Sequence, residues 1–177
     1  MLKQGFLVSC VLALSVGMAR ANTAPYVGAS LGVSTNTTDS TARPNSRGVP
    51  LSVLAGYGGV ITQSVYLAGE VTGTLATGQL SANGMKSTYG YGVSLLPGVM
   101  LHDHFLAFAR VGVVRTNFNS GNNLSTGAEA GLGMQTSLTQ NVELRGEYDF
   151  TAYHRVSTVG ASPKADAFLV SLVYLFN

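Results

Sequence analysis

Apolar and polar side chains alternate two residues apart in segment after segment of this chain. Over residues 167–176, Phe168, Val170, Leu172, Tyr174 and Phe176 share one face and Ala167, Leu169, Ser171, Val173 and Leu175 the other. This is the period of a β-strand. An uncapped apolar strand at the end of a soluble domain would leave a sticky edge, whereas a strand that pairs with the first strand of a closed sheet leaves none.

The same period recurs upstream. Residues 26–34 set Val27, Ala29, Leu31 and Val33 against Gly28, Ser30, Gly32 and Ser34, and further strands are expected over 51–57, 65–75, 89–101, 105–114, 125–138 and 142–150. In the last of these Glu143, Arg145, Glu147 and Asp149 alternate with Val142, Leu144, Gly146, Tyr148 and Phe150. A helix would spread those charges around its circumference. Glu70 marks the inner face of the third strand. In the fifth, hydropathy alone turns Leu106 and Phe108 outward, but Arg110 shares their parity. An arginine facing lipid at mid-membrane costs about 2–4 kcal/mol, so Phe108, Arg110 and Gly112 are turned inward. Pro97 predicts a local irregularity in the fourth strand, because proline lacks the N–H that a ladder needs.

Gly58-Gly59, His102-Asp103-His104 and Thr139-Gln140-Asn141 are read as short connections, and residues 39–48, 77–87, 117–123 and 151–165 as long polar ones. Such asymmetry is that of a bacterial barrel with outer loops and inner turns. The fold predicted is all-β: a closed, eight-stranded, antiparallel transmembrane β-barrel.

The start of the chain points to the same compartment. Lys3, a short apolar stretch over 6–18 and Ala19-Arg20-Ala21 form an export signal. Residues 1–21 are expected to be a cleaved signal peptide and 22–177 the barrel. Cys10 falls in the removed part, leaving no disulfide, thiolate nucleophile or thiolate ligand. Loss of Lys3 and Arg20 from ten basic side chains leaves eight, against eight acids. Those charges segregate. Arg43, Arg47, Lys86, Arg115, Arg155 and Lys164 fall in or beside the long loops, while the strand interiors collect acids.

Particular residues then match a known family. Gly133-Met134-Gln135-Thr136-Ser137-Leu138-Thr139 followed by Arg145-Gly146-Glu147-Tyr148 resembles the sixth and seventh strands of the membrane domain of outer-membrane protein A. Leu96-Pro97-Gly98-Val99 and Phe108-Ala109-Arg110-Val111-Gly112 are similar to strands shared with the smaller outer-membrane protein X type. The resemblance implies an inward ionic network that plugs the lumen, to which Glu70, Arg110, Arg145 and Glu147 belong. Glu129 and Glu143 face the same way and complete the expected network, with Arg145 pairing to an acid on a neighbouring strand. Gln135 stands where the family has an inward glutamate. Phe168, Tyr174 and Phe176 resemble its assembly signal, read by the barrel-assembly machinery.

Other chemistry is weaker. His154 and Ser157, close together in the last loop, match no hydrolase spacing with Asp149 or Asp166, and two imidazoles flanking Asp103 on a three-residue turn do not close a tetrahedral metal site. No phosphate-cradling loop or nucleic-acid motif is present. The reading is a monomeric, non-enzymatic, cofactor-free structural protein of the Gram-negative envelope. Its basic loops are expected to meet lipopolysaccharide phosphates and outer-membrane lipids, with adhesion to host-surface molecules as elaboration. A narrow porin-like ion channel is the alternative and a lipid A-modifying enzyme a third. Inward Gly28, Gly56, Gly92, Gly112 and Gly131 are expected to leave water-sized cavities.

Overall fold

A computed structural model describes residues 22–37, 46–62, 64–79, 87–102, 104–118, 123–153 and 164–176. Eight strands follow one another around the ring: β1 (Asn22–Thr37), β2 (Ser46–Thr62), β3 (Val65–Gln79), β4 (Ser87–His102), β5 (Phe105–Phe118), β6 (Asn123–Ser137), β7 (Val142–Tyr153) and β8 (Lys164–Leu175). Each pairs antiparallel with its neighbours. β8 returns to β1, from Tyr26↔Leu175 to Thr37↔Lys164, so the barrel closes and no strand edge remains.

The faces agree with the alternation. Val27, Leu31, Val33, Val71, Val111, Leu132, Leu144, Tyr148, Phe168 and Leu172 point outward and are exposed, while Glu70, Arg110, Arg145, Glu147 and Asp149 are buried inside. Exposed apolar side chains on the outer wall and buried charge within invert the order of a soluble protein. That inversion is what a hydrocarbon solvent requires.

The strands are longer than the alternation alone indicated, 12 to 17 residues against the roughly 9–11 that cross a bilayer. Gly58 and Gly59 lie within β2, paired to Ala68 and Leu67, and start no turn. Thr77, Asn117, Asn123, Thr151 and Lys164 likewise belong to strand ends. The reason is solvent. Beyond the hydrocarbon both faces of a ladder are wet, so the backbone keeps pairing after the apolar signal has faded. At Pro97 the ladder to β5 passes from Leu95↔Val111 to Gly98↔Phe108, omitting Leu96 and Pro97 while keeping register. The expected irregularity is thus a local gap, while β4 continues unbroken. Residues 1–21, expected to be a signal peptide, lie outside the described residues, as do Asp103, His154, Ser157 and Asn177.

The seam is completed by the last residues. Phe176 N–H donates to the Pro25 carbonyl of β1 at 3.0 Å, while on the β7 side Leu175 N–H donates to the Asn141 carbonyl at 2.8 Å. Deleting residues 174–177 removes these bonds and reopens the inner end of the β1–β8 ladder. The deletion is expected to abolish heat-modifiable gel migration and Phe176→Ala to lower the amount reaching the outer membrane, with deletion of Asn177 alone changing neither. Retention of full heat-modifiability by the four-residue deletion would show that the seam closes without them.

Candidate functional site

The lumen is built in three layers, and the strand period dictates who takes part: every second residue of each strand points in. At the inner end Tyr26, Tyr66, Ala68, Leu96, Leu106, Phe108 and Val173 are buried against one another, with Val60, Met100 and Leu175 packed on them. Two rings cover glycines. Tyr26 occupies the space where Gly56 would carry a Cβ, and Phe108 does the same over Gly133.

Above this apolar layer sits a compact ionic one. The Glu70 carboxylate on β3 lies between two guanidiniums: Arg110 Nη2 on β5 donates to Oε1 at 2.6 Å, and Arg145 Nη1 on β7 to Oε2 at 2.5 Å. Tyr26 Oη adds a third bond to Oε2 at 3.0 Å. Arg110 also donates to Glu147 Oε2, through Nη2 at 2.8 Å and Nε at 3.2 Å. Arg145 donates through Nε to Gln135 Oε1 at 2.7 Å, and its guanidinium carbon lies 5.5 Å from the Tyr26 ring centroid and 5.2 Å from that of Phe108. Glu70 and Arg145 are each 1% exposed and Arg110 2%. Burial of such charges is tolerable only when each is paired and hydrogen-bonded.

Four of the six residues expected in the network therefore meet: Glu70, Arg110, Arg145 and Glu147. The other two do not join its ion pairs. Glu129 accepts from Ser94 Oγ at 3.3 Å, and Glu143 accepts from Gln135 Nε2. Nor does Arg145 reach an acid on a neighbouring strand. Its carboxylate is on β3, across the lumen, because β6 offers it the neutral Gln135 and β8 offers Ser171. Tyr26 and Gln135 were missed as members. Their inward parity was available, but nothing in the alternation says which inward groups stand opposite one another.

Toward the loops the lumen opens into a cavity of about 130 Å³. Its wall carries hydroxyls such as Ser30, Ser52, Thr72, Thr116 and Thr151, and its floor carries Arg110, Glu129, Glu147 and Asp149. The expected glycine voids are absent. Asp149 covers Gly131, Ser94 covers Gly112 and Leu54 covers Gly28, so neighbouring side chains fill the room that these glycines provide. Of the basic group, Arg47, Arg115 and Lys164 lie on β2, β5 and β8, near the loop ends of those strands, and are exposed. Arg43, Lys86 and Arg155 lie outside the described residues. Phe168, Tyr174 and Phe176 stand on the outer wall, and the last two meet edge to face at 5.1 Å.

Glu70→Gln leaves two guanidiniums sharing a neutral partner and is expected to destabilise the barrel by about 3–5 kcal/mol in reversible urea unfolding. Tyr26→Phe should cost about 1.5 kcal/mol. A double-mutant cycle should return a coupling of about 2 kcal/mol for Arg145 with Glu70 and under about 0.5 kcal/mol for Arg145 with Glu129. The reverse ranking would place the central pair elsewhere.

Comparison with known proteins agrees with this architecture. The structure of Neisserial surface protein A superposes with a TM-score of 0.64 at 18% identity, covering 86% of this chain and 97% of that one. Ail, the attachment invasion locus protein of Yersinia pestis, superposes with a TM-score of 0.51 at 12% identity, covering 85% and 99%. The same protein in complex with the heparin analogue sucrose octasulfate gives 0.50 at 14% identity, covering 86% and 97%. At such identities the likeness is one of fold. No curated protein sequence matches the chain significantly. The sequence profile of the outer membrane protein beta-barrel domain, however, matches residues 6–176. Closed sheet, lipid-facing wall, ionic lumen and sequence profile together make the chain a member of the outer-membrane β-barrel domain family, an integral protein of the bacterial outer membrane.

Proposed function

We propose that this barrel is a non-conducting, non-enzymatic structural protein that contributes to envelope integrity and works through its outer end. The observation that carries the reading is the double closure of the lumen. A solute would have to pass the Glu70–Arg110–Arg145–Glu147 cluster and then the packed layer of Tyr26, Tyr66, Leu96 and Phe108. Either layer alone would obstruct water; in series they leave a path only by concerted opening. Activity is thereby confined to the outer wall and the outer end, where Arg47, Arg115 and Lys164 are exposed and suited to anionic partners. Lipopolysaccharide phosphates are the nearest such partner. Sulfated host glycans have the same chemistry, and a fold relative, Ail, is described in complex with a heparin analogue.

Purified protein in planar bilayers is expected to give no steady conductance and no sugar uptake in liposome swelling. Arg145→Gln should yield only brief openings, because the aromatic layer still stands. Arg145→Gln with Phe108→Ala should conduct measurably. A large, stable current from the unmodified protein would overturn the structural reading in favour of a channel. Neutralising Arg43, Arg47, Arg155 and Lys164 together, with assembly intact, should reduce binding to host cells; unchanged binding would remove adhesion through these residues.

A further inference from the structure

The ionic layer does not balance. Among the described residues five carboxylates face the lumen, Glu70, Glu129, Glu143, Glu147 and Asp149, against the two guanidiniums of Arg110 and Arg145. Arg110 hydrogen-bonds Glu70 and Glu147 through Nη2 and Nε. Asp149 has a long ion pair to Arg110, Oδ1 to Nε at 3.6 Å, and this Oδ1 accepts no hydrogen bond although the side chain is only 5% exposed. It lines the cavity on the loop side of the cluster. Glu129 lines the same cavity and accepts a long hydrogen bond from Ser94 Oγ at 3.3 Å. The register sets the two acids diagonally on adjacent strands, since Glu129 pairs with Thr151 and Asp149 with Gly131. Diagonal inward neighbours are about 7–8 Å apart at the backbone, within reach of one ligand between them.

We propose that this cavity binds a primary ammonium group, held between Glu129 and Asp149. Three features select that chemistry. An ammonium carries three diverging donors, which suit acceptors spread over a wall, the two carboxylates and hydroxyls such as Thr116 and Thr151. Among the described residues no group of three or more acids, histidines or cysteines is close enough to hold a metal ion, so a compact cation lacks its cage. The cavity, about 130 Å³, has the volume of roughly four waters, enough for an alkylammonium head. The ammonium also adds a hydrogen-bond donor beside Asp149, whose Oδ1 is ion-paired with Arg110 at 3.6 Å but accepts no hydrogen bond. Gly131 belongs to the site as a spacer. A Cβ there would collide with Asp149 Oδ1, so the missing methyl is what lets this carboxylate lie across β6.

The test is a calorimetric titration of 1,4-diaminobutane into the full chain, folded in zwitterionic micelles, with closure checked by heat-modifiability. Unmodified protein should bind saturably at one site. Glu129→Gln and Asp149→Asn, which keep the side-chain shapes, should each weaken binding at least ten-fold. Gly131→Ala should weaken it with no charge removed. Asp166→Asn, on the outer wall, should leave it unchanged. No saturable binding, equal binding in both carboxamide variants, equal loss in Asp166→Asn, or binding of Mg²⁺ with the diamine silent would each overturn the proposal. If Gly131→Ala fails to close, the two carboxamide variants still decide.

Discussion

The Glu70 carboxylate is the constraint on which the rest of the lumen depends. It sits on β3, yet it accepts from Arg110 on β5, Arg145 on β7 and Tyr26 on β1. Four alternate strands are therefore tied to a single pair of oxygens. A register slip of one residue in any of them would turn its inward group onto lipid and strand the remaining charges without partners. Hydrophobic packing alone would not discriminate so sharply, because the outer wall meets a fluid solvent that accepts any apolar side chain. The cluster thereby constrains register, whereas buried ion pairs as a class come near to break-even in stability.

Glycine makes the cluster possible in so narrow a ring. Eight strands enclose a space that side chains just fill, and rings as large as Tyr26 and Phe108 fit only because Gly56 and Gly133 leave room beneath them. The rings then flank the Arg145 guanidinium, which stacks on two aromatic faces while its N–H groups reach Glu70 and Gln135. Packing and electrostatics are the same contacts here. A substitution at Gly56 would act on the ion pair through the tyrosine ring.

Facing was legible in the sequence because it is local: period two assigns each residue to wall or lumen, and one charge, such as Arg110, overrules a misleading run of apolar neighbours. Opposition across the lumen was not. Whether Arg145 meets Glu129 or Glu70 depends on how far the sheet shears before it closes, which no single strand encodes. The neutral Gln135 decided the matter by taking the position beside Arg145 on β6. Strand ends were illegible for a different reason. Thr35-Asn36 and Ser46-Arg47 pair with each other where both faces are wet, so their pairing leaves no pattern.

The layered lumen divides the molecule into unequal halves. Below the ionic cluster, apolar contacts close the inner end tightly; above it, hydroxyls and unevenly matched acids surround open space. A barrel needed only as a membrane staple could have continued the apolar packing to the rim, at lower electrostatic cost. The retained acidic excess and the cavity lie on the loop side of the seal, as do exposed Arg47, Arg115 and Lys164 on the strands around it. Negative charge thus lines the inside of this end and positive charge decorates its outer wall. An anionic surface partner and a cationic small ligand could then be held together, each by the face of opposite sign, without competing for the same groups.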